Sequence, residues 1–593
     1  MAVAAAAAAS SSAPAPSDNQ VRFLIGNANL NDLRVEHLHF PLGSSSSKAP
    51  QTAEEKSRPI QCAHGTGTAD RSKIYARALP QVHQRLRLLD AFIDKPLGRD
   101  YNGIVTVSNT HGLTAEQARE FASSDAARVV TPEHERAFPS RGAVRPHLIV
   151  QRPGKPNRVV VSCDDQNNYA YDAGYRNEIT DMQGIADMLV IGLAAAAVDT
   201  DIVSAYYHRK LDDDAASHYR FRIDGVLYEF RALPMGLAVS AEWMHIVCNI
   251  MAGNRAYVTP EFSIPCRVKC WIDNCCFYAS SAKQAQIAQR MVAENADAMG
   301  LVLHAPKFHA ADSDPTFVFC GTQFDLANGT ARPSDKTLDK LPRIVPDSMP
   351  AADLQALGCR GIYCAQVMQE PLLNYWFTLK WIRRVTNGVN TGRRHPNETV
   401  PIPDSVRRVL QRWIDAARRP HKINKQRLDG TTATLFTDAT PTGWGAVLVS
   451  NNNRLFSVGG RFPSSITGSI CAKEAWAVHL ALEHLQQFLP EINELHLFVD
   501  NTSVEAGLHR ANARADDLVE PIRRAWAEIA ARSIVMTVAY VSTSVNPADA
   551  ISRGEALKAN VTQELIDHIK THAKSLTHQN KQKGAGQRLV VKR

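Results

Sequence analysis

The apolar positions of this chain change period twice. In "RPHLIVQRPGKPNRVVVSC" two short apolar runs flank a Pro/Gly/basic turn, which predicts paired strands. "AAAVDTDIVSAYYHRKL" reads as a buried strand that ends in acids, and "YRFRIDGVLYEFRALP" as a hairpin turning at Asp224-Gly225. "SAEWMHIVCNIMA" reads as a helix. In "CWIDNCCFYAS" two apolar strands meet at Asp273 and Asn274, and Asn at a tip suits a positive φ. "AKQAQIAQRMVAENADAMGL" has the spacing of an amphipathic helix with Gly300 at its end, and "TFVFCGTQF" predicts two more strands. Upstream, "RSKIYARALPQVHQRLRLLDAFI" is helical, kinked or split by Pro80.

Residues 331–430 read as mostly helical, with a basic stretch at "KWIRRVTNGVNTGRRH". From Thr431 the alternation returns: strands "ATLFTDAT", "GWGAVLVSN" and "NRLFSVGG", a helix at Ala472–Phe488, the strand "ELHLFVD", a helix, and "MTVAYVS". This divides the 593 residues into a low-complexity arm (1–70, expected disordered), a helical extension (71–135), a strand-rich body (136–330), a helical basic segment (331–430), a second mixed domain (431–556) and a basic tail (557–593).

Composition narrows the partners. The net charge of +8 tilts toward an anionic partner such as nucleic acid. Cys266, Cys270, Cys275 and Cys276 cluster, but no CxxC pairs with a second CxxC, so reduced core thiols are expected rather than a zinc site. The longest apolar run, Met188 to Val198, falls short of the ~18 residues a membrane span needs. The N-terminal "MAVAAAAAASSSAPAPS" has no basic n-region and fits neither a signal nor a transit peptide. An intracellular place, nucleus or cytoplasm, is therefore expected.

Two sets of acids carry the candidate chemistry. Asp201 ends one strand and Asp273 lies on a hairpin, with the Gly-containing turn "LPMGLAVSAEW" between them. Phosphoryl transfer to a sugar hydroxyl needs two divalent ions clamped by carboxylates over a triphosphate held by basic groups. The ordered set resembles reverse transcriptases. Asp201-Ile-Val-Ser-Ala-Tyr206-Tyr207 is similar to their first metal motif, "LPMGLAVSA" to the second, and "WIDN" stands where the family carries two Asp. "MGLVLHAPKF" and "FVFCGTQFD" resemble the next motif and the primer-grip hairpin, and "LIVQRPGKPNRVVVSCDDQNN" the fingers strands.

The resemblance implies a right-hand polymerase of fingers, palm and thumb in an α+β and α/β multidomain chain. It implies magnesium at Asp201 and Asp273, two ions per site, with manganese as an alternative. Arg152, Lys155 and Arg158 would contact the triphosphate. Lys307 would serve the leaving pyrophosphate. Tyr206 would be the steric gate against a ribose 2′-hydroxyl. Met235 and Gly236 would lie at the nucleotide, Trp271 would hold a flat face against the primer–template, and the Asn274 amide oxygen would orient a water or ligand. In that family the first Asp of the hairpin is the principal ligand, so Asn274 alters the site without removing it.

The second set is Asp438, Glu474, Asp500 and Asp549, on a strand, a helix, a strand end and a helix start. Asn546 as N-cap and Pro547 at the first helical position would fix Asp549. This order resembles ribonuclease H, a mixed sheet with helices whose four carboxylates hold two magnesium ions. Many relatives have a loop His just before the last Asp; "VSTSVNPAD" has none. The joined order and the "NPADAISR" ending are most similar to tyrosine-recombinase retrotransposons, the DIRS and VIPER-like group. Implied partners are an RNA template, a DNA primer, an RNA–DNA hybrid and deoxynucleoside triphosphates, with an element-encoded recombinase or capsid-like protein as a candidate companion. The competing expectation is a decayed or domesticated copy that binds nucleic acid without synthesis, with or without nuclease activity.

Overall fold

The computed structural model describes residues 52–557 except 61–66, 151–155, 178, 180–187, 371, 424–430, 451–454, 487–488, 490–491, 510–512, 514 and 533. Arg152, Lys155, most of the expected N-terminal arm and all but the first residue of the expected basic tail lie outside the described residues. The chain forms two compact units, one over Ser47–Lys336 and the other from Thr337 onward.

In the first unit, α1 (Arg71–Arg77) starts at Asp70, whose carboxylate accepts the Lys73 N–H. Pro80 opens α2 (Pro80–Asp94), so it splits the helical stretch. There its missing N–H costs nothing. Ile74, Leu86, Leu89 and Ile93 are buried in the same core as Val198, Met244 and Phe277. Each such side chain contributes roughly 1.5–3 kcal/mol on burial. The helices are also tied by charge: Arg209, itself buried, donates to Asp90 at 3.1 Å and to Asp94 at 2.6 Å. Ile60, read as part of the arm, is likewise buried and bridges to Asn157.

Strands β1 (Ala127–Val129), β2 (Arg145–Ile149) and β3 (Arg158–Ser162) precede the central strand β4 (Ala196–Asp201). β5 (Arg220–Ile223) and β6 (Val226–Phe230) turn at Asp224 and Gly225 as predicted, and both residues have positive φ. After α3 (Ser240–Met251) come β7 (Arg267–Trp271) and β8 (Asn274–Ala279), then α4 (Ala282–Ala298) and β9 (Lys307–Ala310). These build an antiparallel sheet in the order β7-β8-β4-β9. The acids of β4 thus stand on an interior strand. The expected pair at "TFVFCGTQF" is β10 (Thr316–Phe319) and β11 (Thr322–Asp325), turning at Cys320 and Gly321, both at positive φ.

In the second unit, α5 (Ala351–Val367), α6 (Trp376–Asn390) and α7 (Asp404–Ala417) pack around Leu354, Ile382, Leu410 and Trp413. Then β12 (Thr431–Ala439), β13 (Gly443–Ser450), β14 (Leu455–Arg461), α8 (Ile470–His484), β15 (Ile492–Val499), α9 (Thr502–His509), α10 (Asp516–Ala531), β16 (Val535–Tyr540) and α11 (Ala548–Ser552) follow. Their sheet runs β14-β13-β12-β15-β16, antiparallel through β12 and parallel beyond it. Alternation splits the burial: Ala433 and Leu435 join one core with the α8 and α10 residues, while Phe436 joins Val447, Phe498 and Ala548 in another. Trp376 reaches the larger core and donates its indole N–H to the Ala513 carbonyl at 3.0 Å. The fold is mixed α/β and multidomain, as expected.

Candidate active sites

The first site is built by strand pairing. Asp201, the last residue of β4, pairs with Asn274, the first of β8. Asn274 also pairs with Trp271 across the hairpin, so the two-residue tip is Ile272-Asp273. This corrects the reading that Asn274 sits at the tip. The positive φ belongs to Ile272, at 58°. A β-branched residue there costs on the order of 1–3 kcal/mol. Its cause is packing: Ile272 lies against the core, where the glycine favoured at that turn position would leave a gap. The Ile272 N–H donates to Nδ1 of His245 at 3.2 Å.

The Ile202 N–H donates to the Asp273 carbonyl at 3.1 Å, which docks the tip beside the end of β4. Asp273 is raised above the usual carboxylate range, first by burial and then by the Asp201 charge. The Asn274 amide, donating to Asp273 Oδ1 at 3.0 Å, and the nearby Arg158 charge oppose this rise. Two carboxylates that repel across adjacent strand ends form a place for a cation. Asp201 is 44% exposed, and His304 Nε2 lies 3.9 Å from it.

The other expected residues fall as follows. Tyr206 lies in a short 3-10 turn just after β4, and its phenol is pushed well up by burial, with the Asp273 charge adding to this. Met235 accepts the Val161 N–H from β3 at 2.8 Å. Gly236 has φ 137°, and a Cβ there would stand 1.8 Å from the Val161 carbonyl oxygen, so only glycine lets this loop approach β3. Trp271 is half-buried at the hairpin closure. Lys307 is exposed at the start of β9, opposite Asp199 rather than Asp201. Cys270 and Cys275 are opposite each other and buried, and all ten cysteines among the described residues are free thiols. Sequence reasoning missed His245 and His304; His245 left no signal beyond an imidazole in an apolar helix.

In the second site, ligand atoms of Asp438, Glu474 and Asp500 lie within 4.8 Å of one another. Asp438 and Glu474 are buried. Burial, reinforced by the neighbouring carboxylates, pushes Asp438 up to about 7 and Glu474 up to about 9. Glu474 Oε2 is buried with no hydrogen-bond partner among the described residues. An acceptor left bare among like charges is the state a cation would relieve. The donor set of three clustered carboxylates fits a hard divalent ion such as magnesium.

Asp549 stands apart from that cluster. Its Oδ1 accepts from Arg553 NH2 at 2.9 Å, though its charge still raises Asp438. The helix α11 begins one residue later than expected, with Pro547 already helical. Asn546 still caps it by accepting the Ala548 N–H at 3.1 Å, and its amide donates to the Thr437 carbonyl beside Asp438 at 3.0 Å. Gly445 lets α11 press on β13, because a Cβ there would meet the Ser552 nitrogen at 2.4 Å. Ser552 Oγ in turn donates to Asp438 Oδ2. In the loop before Asp549, Thr543 Oγ1 donates to Asp500 Oδ2 at 2.9 Å. Thr543, Ser552 and Arg553 were within quoted motifs, but nothing local marks them as partners of these acids.

A further acid cluster, His134, Asp213 and Glu229, already surrounds a cation. Arg128 pairs there with both Asp213 and Glu229.

No protein-family description matches the sequence, and no curated protein does. Solved structures are similar at low identity. The foamy viral protease-reverse transcriptase dRH in complex with ds DNA is 13% identical, with a TM-score of 0.45, covering 82% of this chain and 84% of that one. The foamy viral protein in complex with RNA/DNA hybrid is 10% identical, with a TM-score of 0.44, covering 83% and 64%. The foamy viral protein with dsDNA is 12% identical, with a TM-score of 0.43, covering 80% and 96%. No helix among the described residues is long and apolar enough to cross a membrane.

Proposed function

We propose that this chain is an RNA-directed DNA polymerase joined to a ribonuclease H, of the retrotransposon kind that its motifs resemble. One observation carries the reading: two separate carboxylate sites, each assembled from strands and helices distant in sequence, Asp201 with Asp273 and Asp438 with Glu474 and Asp500. Magnesium bound at these acids would supply Lewis-acid stabilisation of the phosphoryl oxygens. The chain's own residues do the rest. Arg158, whose charge reaches Asp273, attracts the triphosphate. Tyr206, held half-buried beside the same acid, limits what fits under the sugar. The Met235–Gly236 loop, pinned to β3, shapes the nucleotide side. In the second site Thr543, Ser552 and Asn546 orient the acids and the short helix for attack of water on a phosphodiester.

A decayed copy is the second reading. It is favoured by Asn274 in place of a carboxylate and by Arg553 holding Asp549. Primer extension on an RNA template with magnesium, run beside cleavage of a labelled RNA–DNA hybrid, separates the two. Extension and cleavage support the proposal. Binding of the hybrid without either reaction overturns it in favour of the decayed copy.

A further inference from the structure

The tip that presents Asp273 is held from below by one imidazole. Ile272 has φ 58°, a conformation a β-branched residue does not keep unaided. Its N–H points to Nδ1 of His245 at 3.2 Å. His245 sits on α3 with 1% exposure, so the ring is fixed by the helix that carries it. The Tyr257 ring meets it edge-on at 6.3 Å, and Asn249, one turn on, donates to the His245 carbonyl at 3.0 Å. Accepting the Ile272 N–H makes Nδ1 the acceptor of the ring, and the Asn249 amide nitrogen lies 3.3 Å from Nε2 on its other side. The adjacent peptide then carries Asp273, whose carbonyl takes the Ile202 N–H at 3.1 Å. The chain of contacts therefore runs from α3 through His245 and Ile272 to Asp273, docked beside the end of β4.

We infer that His245 is a positioning residue for the polymerase centre: its Nδ1 holds Ile272 in the left-handed conformation and so aims Asp273. This rests on the polymerase reading above. The Ile272 side chain packs against the core, and His245 supplies the hydrogen bond that keeps so unsuitable a residue at the turn. A glycine at 272 would take the same φ without help. An Asn at 245 would place Oδ1 near the position of Nδ1 and still accept the N–H.

The test uses the full chain with four variants: His245→Leu, His245→Asn, Ile272→Gly and His245→Leu/Ile272→Gly. Two quantities are read, the kcat and KM of primer extension and the hydrogen exchange of the Ile272 amide. Misplacing a reacting group by about 1 Å costs about 100-fold, so His245→Leu should lower kcat by about 10- to 100-fold. Its nucleotide KM should change little, and the Ile272 amide should exchange faster. His245→Asn should recover most of kcat and of the protection. The double variant should match Ile272→Gly alone.

A His245→Leu protein with unchanged kcat, or a double variant as slow as His245→Leu, overturns the inference and leaves the polymerase reading standing. Should His245→Leu fail to fold, His245→Asn decides: loss of amide protection there overturns the inference. A folded wild-type chain that binds hybrid but never extends a primer overturns the polymerase reading and with it the catalytic part of this inference. In that case the exchange of Ile272 in the variants still decides whether His245 holds the tip.

Discussion

Asp201 and Asn274 stand directly opposite each other on adjacent antiparallel strands, and the Asn274 amide donates to Asp273 at 3.0 Å. The amide thus buffers a carboxylate instead of adding a second one beside Asp201. Asp201→Asn or Asp273→Asn should lose several kcal/mol of stabilisation, about 1000-fold or more in primer extension. Asn274→Asp puts a like charge directly across from Asp201 and should be tolerated while tightening magnesium binding. Extension rates over a magnesium titration check this. Activity that survives Asp273→Asn but not Asn274→Asp would refute the ligand assignment.

Tyr206 lies in the 3-10 turn after β4, within electrostatic reach of Asp273. Tyr206→Val should raise ribonucleotide incorporation relative to deoxynucleotide, within the roughly 10- to 200-fold that steric contacts provide. The ratio of the two kcat/KM values is the measurement. An unchanged ratio would make Tyr206 a core aromatic only.

The two carboxylate sites belong to different units. Asp438→Asn should abolish hybrid cleavage and leave primer extension within about twofold. Because Asp438 and Glu474 are crowded and buried, the same change should raise the melting temperature without magnesium and reduce the rise that magnesium gives. Thermal melts with and without the ion read both effects. A full magnesium shift in Asp438→Asn would place the ion elsewhere.

His208 is buried and accepts the Val302 N–H at Nε2, 3.1 Å away. Burial lowers it from 6.5 to about 4. Its folded value lies below its unfolded one, so the unfolded chain binds the proton first. Stability is then full above about pH 6.5 and falls as pH drops toward about 4, by roughly 3 kcal/mol for a shift of this size. His208→Gln, which keeps an acceptor but does not titrate, should flatten that part of the profile in urea unfolding. An unaltered slope would exclude His208 as its source.

The basic helical segment is less free than its composition suggests. Lys380 pairs with Asp516 at 2.6 Å and lies over the Trp376 ring, Arg394 pairs with Glu398 at 2.6 Å, and Arg393 donates to Thr391 at 2.9 Å. Arg383 and Arg384 are therefore the expected phosphate contacts in hybrid binding. Arg383→Gln with Arg384→Gln should flatten the log–log salt slope of hybrid binding by about 2, and Arg393→Gln with Arg394→Gln by much less. The reverse ranking would assign the phosphate contacts to Arg393 and Arg394 instead.

Local signals settled what local chemistry controls. Pro80 divided two helices because its ring permits only a helix start, and Asp224-Gly225 turned its hairpin because both take positive φ. The acids were legible because they recur in a recognisable order of strands and helices. The tertiary structure alone decided which groups share a site and what each is already bound to. It moved the hairpin tip from Asn274 to Ile272-Asp273, set Arg553 on Asp549, put Thr543 on Asp500 and His245 under Ile272. The reason is physical. Backbone preference and alternation act over a few residues, whereas strand register and side-chain partners are fixed by packing between segments far apart in the chain, and no single segment encodes its partner.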